Sequence, residues 1–251
     1  MKNDAPIKLY QFAISHYCEK IRWALDYKGL EYQIINLLPG LHASKTKQFG
    51  SNTSNSNLPI LTHGQHVIQG SSQIIDYLDL SFTDKPLTPA EHDTAKLAKE
   101  WERVADEDIG PHLRRILYHT LLAHPKIVMP FFSHQGPWYS SLYLKIAYPK
   151  ITKIMRKMMA IDDQHVQEST QTLSLTVDKL CHQLEQQNSQ YIVGDQFSRA
   201  DLAFAALLAP LITPAQYNLP WPEAYPPEIE LLMSSYQDRL QHADYCYQHY
   251  R

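Results

Sequence analysis

The sequence predicts an α/β domain followed by an all-α domain. Three observations carry that expectation. Over the first 80 residues, short apolar and β-branched runs alternate with segments of helical periodicity. The Thr-, Asp- and Pro-rich stretch Phe82-Thr83-Asp84-Lys85-Pro86-Leu87-Thr88-Pro89 then interrupts any regular pattern. Beyond it helical periodicity resumes, and no run reads as a strand. The expected division is residues 1–80, a linker at 81–89, and residues 90–251.

Residues 7–12 read as the first strand. Residues 17–28 follow as a helix, with Cys18, Ile21, Arg22 and Leu25 on one face and Gly29 as the left-handed residue that stops it. Residues 32–36 form the second strand. From 38 to 57 the composition is that of a loop, most densely in Gly50-Ser51-Asn52-Thr53-Ser54-Asn55-Ser56-Asn57. Residues 59–62 and 66–69, joined through His63-Gly64-Gln65, read as a hairpin. Ser71 opens a helix carrying Ile74, Ile75 and Leu78. The order βαβ, loop, ββα makes a mixed four-stranded sheet with helices against it.

In the second half, helices are expected over 90–122, 140–159, 165–187 and 199–211. Phe197-Ser198-Arg199-Ala200-Asp201-Leu202 has the form of a capping box, Ser198 with Asp201, and of a staple, Phe197 on Leu202; it reads as a structural helix start. Residues 124–148 read as an enlarged connection between helices, broken at Pro125, Pro130, Gly136 and Pro137. Lys150, Lys153, Arg156 and Lys157 read as a solvated basic face.

The composition excludes several classes of function. A chain that is 44% hydrophobic and 20% charged is ordinary for a soluble globular protein. A formal net charge of -3 argues against a nucleic-acid binder. The 13 histidines are scattered, and the one close pair, His63 and His66, has no carboxylate or cysteine beside it, so no metal site is expected. Cys18, Cys181 and Cys246 are far apart and odd in number, which fits a reducing compartment. No run of about 18 apolar residues suggests a membrane span. Met1-Lys2-Asn3-Asp4-Ala5-Pro6 carries no apolar signal core, and a cytoplasmic location is expected.

The stretch most informative about chemistry is Ser15-His16-Tyr17-Cys18-Glu19-Lys20-Ile21-Arg22-Trp23-Ala24-Leu25. A hydroxyl and a thiol stand three residues apart where a strand turns into a helix. A helix N-terminus presents unpaired N–H groups and partial positive charge, so a thiolate or carboxylate is stabilised there. Taken alone, Ser15 also fits a plain N-cap.

Three further segments complete a pattern: Asn57-Leu58-Pro59-Ile60-Leu61, Gly70-Ser71-Ser72-Gln73-Ile74-Ile75-Asp76-Tyr77-Leu78, and Tyr191-Ile192-Val193-Gly194-Asp195-Gln196-Phe197-Ser198-Arg199-Ala200-Asp201. With these four segments in order, the chain resembles the glutathione S-transferases over nearly its whole length. The resemblance implies a thioredoxin-like N-terminal domain, a helical C-terminal domain, and a homodimer. It also implies glutathione as co-substrate, no metal, and a small apolar electrophile as acceptor.

The resemblance also assigns roles. Ser15 would donate a hydrogen bond to the glutathione sulfur and favour its ionised form. Pro59 matches a cis-proline, leaving the backbone of Leu58 to pair with the tripeptide. Ser71, as N-cap, would grip the γ-glutamyl carboxylate. Gly70 departs from the usual acidic residue or Gln, so that contact would fall to Gln69, Ser72 or another chain. His42 lies near where a basic residue would meet the glycine carboxylate, or is an exposed loop residue.

Cys18 matches the second cysteine of a redox pair whose first member is here Ser15. It is either a buried packing residue or the centre of a glutathione-dependent thiol transferase or peroxidase. Tyr118, Phe131, Phe132, Trp138 and Tyr139 are the candidate walls of the electrophile pocket, or core filler. A non-catalytic interaction protein on the same fold is the remaining alternative.

Overall fold

Strand β1 (Ile7–Gln11) alternates buried and half-buried side chains, as a strand covered on one face requires. It pairs in parallel with β2 (Tyr32–Asn36) and antiparallel with β3 (Ile60–His63), which turns through Gly64 into β4 (His66–Gln69). The computed structural model thus contains the expected mixed sheet, in the order β2-β1-β3-β4. It describes residues 5–53, 55–187 and 189–251. Residues 1–4 of the expected start, Ser54 of the expected loop and Asn188 lie outside the described residues.

Helices α1 (His16–Tyr27) and α3 (Ser71–Ser81) pack on the sheet. Leu9, Ile21, Leu25, Leu61, Ile74, Ile75 and Leu78 are completely buried between them. In the second half follow α4 (His92–Val104), a π turn (Ala105–Ile109), α5 (Gly110–Leu121), α6 (Pro125–Ser133), α7 (Ser140–Met158) and α8 (Asp163–Gln187). Then come α9 (Arg199–Ile212), α10 (Pro227–Tyr236) and α11 (Gln241–Tyr250). Helix α9 is buried on all sides. Ala203, Phe204, Leu207 and Leu208 enter the helical core, while Leu202, Ala205, Ala206 and Ala209 join the core that α1 shares with the sheet. Three small alanines on that second face let α1 and α9 approach closely.

Two expectations need correcting. Residues 38–57 are not plain loop: α2 (His42–Thr46) and a 3-10 turn (Lys47–Asn52) form there. The Leu38 carbonyl accepts from the amides of Leu41 and His42 and starts that turn. Nor are residues 124–148 broken throughout. Pro125 occupies the first turn of α6, where a missing N–H costs nothing, so it starts a helix. The break is confined to residues 134–139, around Gly136 and Pro137, between α6 and α7.

The chain after residue 211 holds α10 and α11, in keeping with a helical second half. Helix α11 docks by aromatic packing, with Phe197 stacked on Tyr250 at 4.3 Å between centroids and the Trp23 indole donating to the Tyr250 carbonyl at 2.7 Å. Arg251 closes the end on Glu19 at 2.8 Å and Asp26 at 2.5 Å.

An ionic network ties the halves together. Lys20 of α1 is wholly buried and sits 2.8 Å from both Glu102 and Asp106. Arg199 of α9 meets the same Glu102 and Asp76 at 2.5 Å, and it donates to Thr88 and to the Ser72 carbonyl. The connection 82–91 is pinned as well: Lys28 donates to the carbonyls of Phe82, Asp84 and Lys85, and Asp79 accepts from the amides of Leu87 and Thr88.

Candidate active site

Ser15 is extended (φ -72, ψ 120) and caps α1. Its amide donates to the Phe12 carbonyl at 3.1 Å, which tightens the corner after β1. Its Oγ accepts from the Cys18 amide at 3.4 Å. That bond uses a lone pair of the hydroxyl oxygen. Ser15 is half-buried.

Cys18, one turn into the helix, is completely buried. Burial pushes its thiol upward, and the bond from Ser15 and the charge of Arg22 oppose this without reversing it. A nucleophilic cysteine needs exposure and thiolate character, and Cys18 has neither. Cys18→Ala is therefore expected to leave any activity centred on Ser15 within about two-fold in kcat/KM, as deletion of a group outside the reacting constellation should.

The peptide between Leu58 and Pro59 is cis. Leu58 lies outside the β3–β4 ladder, which begins at Ile60, and the Pro59 carbonyl accepts from the Gly70 amide at 3.1 Å. This bond holds the turn against the N-terminus of α3.

Ser71 is not the N-cap. Gly70 takes that place at φ 97, a conformation that only glycine adopts freely, and Ser71 is the first helical residue, 7% exposed. The unpaired N–H groups of the first turn remain aimed out of the helix end.

The side chains that were to compensate for Gly70 are engaged elsewhere. Gln69 donates to Asn55 and to the Asn57 carbonyl, the latter at 2.8 Å. Ser72 donates to Asp106 at 2.8 Å. Instead, the side-chain oxygen of Gln73 occupies the space that a Cβ at position 70 would take. Sequence reasoning missed Gln73, although a Gly with a Gln three residues later on a helix start was the available signal.

His42 packs edge-on against Phe12 at 4.9 Å, with its Nδ1 buried and unpartnered. Burial lowers its pKa, so it offers a neutral ring to a ligand, not the cation expected of a basic residue.

The expected electrophile-pocket residues disperse. Tyr118 lies in the helical core against Phe132, its hydroxyl pushed up to about 12 by burial. Phe131 packs on Trp221. Trp138 is 94% exposed and meets only the edge of Tyr139, itself 38% exposed, because the Gly136-Pro137 break turns both outward. Neither forms a wall beside Ser15.

The residues after Ser15 were missed: His16 and Tyr17, which both feel the charge of Arg114 on α5. The Tyr17 hydroxyl rests on Gly110, where no Cβ would fit, and donates to the Asp106 carbonyl at 2.5 Å. His16 is 5% exposed, and its pKa is lowered to about 3 by burial and by the charge of Arg114, against a backbone bond to Leu207. It is therefore neutral.

A hollow of about 230 Å³ lies elsewhere, lined by Gln11, Arg22, Tyr32, Tyr217 and Arg251 among others, and none of Ser15, Pro59 or Ser71 borders it. Among the described residues no cluster of three or more His, Cys, Asp or Glu could hold a metal ion. No helix there is long and apolar enough to cross a membrane.

Two family models match the chain: glutathione S-transferase, N-terminal domain, at residues 9–86, and glutathione S-transferase, C-terminal domain, at residues 122–227. The chain is 33% identical over 107 residues to glutathione S-transferase 1 of Dianthus caryophyllus, covering 42% of this chain and 48% of that one. It is 24% identical over 215 residues to glutathione S-transferase TCHQD of Arabidopsis thaliana, covering 82% and 77% respectively. That last case apart, the chain spans about half the length of the curated relatives it matches. Among solved structures, a glutathione S-transferase from Xanthobacter autotrophicus superposes with a TM-score of 0.62 at 13% identity, covering 95% of this chain and 91% of that one.

Proposed function

This chain belongs to the glutathione S-transferase family, and from that premise we propose that it conjugates the glutathione thiolate to a small electrophile, with Ser15 as the residue that stabilises the sulfur. One observation carries the reading: Ser15 is the N-cap of α1, its oxygen anchored by the Cys18 amide, beside the unpaired N–H groups of the first turn. A hydrogen bond to the charged form of a thiol lowers its pKa from about 8.5 and raises the thiolate fraction at neutral pH.

The remaining contacts follow from the same corner. Leu58 would pair through its backbone with the cysteinyl portion of glutathione. Gly70, Ser71 and the first turn of α3 would meet the γ-glutamyl carboxylate, and Gln73 its amino group. His42 would face the glycine end as a neutral donor or acceptor. We take residues 1–80 as the glutathione-binding domain, 81–89 as the linker and 90–251 as the domain of the acceptor. The three free cysteines fit a reducing location such as the cytoplasm. The burial of Cys18 favours conjugation over thiol transfer.

Calorimetric titration with glutathione tests the reading. Saturable binding at or below millimolar concentration supports it, whereas no heat at millimolar ligand would leave a non-catalytic interaction protein.

We also propose a homodimer. On α7 the side chains of Leu142 and Ile146, one turn apart on one face, are 63% and 77% exposed, an apolar pair that a second copy would cover. Equilibrium sedimentation is expected to give twice the 29.0 kDa chain mass at micromolar concentration, and Ile146→Asp to shift it toward the monomer. A parent protein that sediments as a monomer would contradict this.

A further inference from the structure

Helix α5 presents Gly110, Arg114 and Tyr118 at i, i+4 and i+8, so the three share one stripe. The Tyr17 hydroxyl lies on Gly110, and both His16 and Tyr17 feel the charge of Arg114. The stripe therefore faces the first residues of α1, directly after Ser15.

Arg114 differs from the other arginines around it. Arg115, the next residue, donates to the Met159 carbonyl at 2.8 Å and to Ser169 at 2.6 Å. Arg156 donates to the His119 carbonyl, and Arg103 to Glu107 at 2.5 Å. Arg114 makes no hydrogen bond or ion pair among the described residues, and its Nε is buried without a partner. The nearby carboxylates do not answer it: Asp106 is held by Lys20 and Ser72, and Glu107 by Arg103. A second buried atom, the Nε2 of His16, is also unpartnered at this place. Buried polar groups left in this way are costly, more so when charged, unless a ligand completes them.

We propose that the acceptor bound beside Ser15 carries a carboxylate and that Arg114 pairs with it. This deepens the conjugation reading and rests on it, by naming the class of electrophile: an apolar body bearing an acid group. The guanidinium fork matches a carboxylate in a two-pronged bond, and partial burial strengthens such a pair. Neutral His16 adds no competing charge. Ile14, next to Ser15 in the chain, is a half-buried apolar side chain packed on the helical core.

The test uses two synthetic conjugates that differ only in charge, S-(4-carboxybenzyl)glutathione and its 4-methoxycarbonyl ester, with affinities measured by calorimetry. The parent protein is expected to bind the acid at least about 10-fold more tightly than the ester. Arg114→Gln should weaken the acid about 10- to 100-fold, as loss of a charge-assisted pair does, and leave the ester and glutathione within about two-fold. Arg114→Lys should restore part of the preference. Equal binding of acid and ester by the parent protein would overturn the proposal while leaving glutathione conjugation intact. An equal loss for both conjugates in Arg114→Gln would overturn it too, and would assign Arg114 to glutathione itself or to the fold. Failure of glutathione and both conjugates to bind would refute the conjugation reading and this one together. Should Arg114→Gln not fold, the comparison in the parent protein and in Arg114→Lys still decides.

Discussion

Ser15→Ala is expected to lower kcat/KM for conjugation of glutathione to 1-chloro-2,4-dinitrobenzene by about 10²–10³-fold. The magnitude follows from removal of one preorganised donor to a developing or resident negative charge, worth about 2.7–4 kcal/mol in comparable sites. The first-turn amides of α1 stay in place and continue to favour an anion, so the loss should not be complete. Glutathione affinity should change little, because the contacts proposed for Leu58, Ser71 and Gln73 lie away from the sulfur. Replacing Ser15 by Cys should give a different enzyme: a thiolate at the helix head would form mixed disulfides with glutathione, and thiol exchange should rise. Steady-state kinetics of the three forms would separate these outcomes. A Ser15→Ala protein with parental kcat/KM would remove the serine from the chemistry.

Glu102→Gln is expected to destabilise the fold by about 3–5 kcal/mol, a loss typical of breaking a buried ion pair on one side. Glu102 is 2% exposed and bridges two buried cations, Lys20 at 2.8 Å and Arg199 at 2.5 Å. A neutral amide leaves Lys20 with Asp106 and Arg199 with the half-exposed Asp76, so two positive charges share too little compensation. For a chain of this length the loss corresponds to a fall in Tm of about 10 °C or more. Scanning calorimetry or urea titration gives the value directly, and a shift of under about 2 °C would show that the network contributes little. Because the same network joins α1 to α4 and α9, glutathione binding should weaken near the new Tm and not far below it.

The fold was legible where periodicity was strong. Residues 7–12, 32–36 and 60–69 carry β-branched and apolar residues in runs too short for helices, and α9 announces itself with the Ser198–Asp201 box. That box is present, but Asp201 does more than cap: its Oδ1 also accepts from the Ile192 amide at 2.8 Å and lies 3.2 Å from His242. The role of Arg199 was not legible at all. Its partners, Glu102 and Asp76, are 97 and 123 residues away in sequence, and only tertiary packing brings them together.

The same limit explains the site. Ser15, Leu58, Pro59, Gly70 and Ser71 were named because a local motif marks each. Gln73 was missed because its meaning depends on the empty Cβ position of Gly70. Arg114 and His16 were missed because what distinguishes them is a missing partner, which no sequence reveals. Aromatic composition misled in the opposite direction: Trp138 and Tyr139 look like pocket walls but face solvent, turned out by the Gly136-Pro137 break.

The central claim is that Ser15 keeps the glutathione sulfur ionised. Ultraviolet thiolate absorbance of bound glutathione, followed against pH in the parent protein and in Ser15→Ala, tests it most directly. The account predicts a bound thiol that titrates at least about one unit below the free value near 8.5 in the parent protein and returns toward that value in Ser15→Ala. The same titration in both proteins, or no thiolate at pH 7 in the parent, would contradict it.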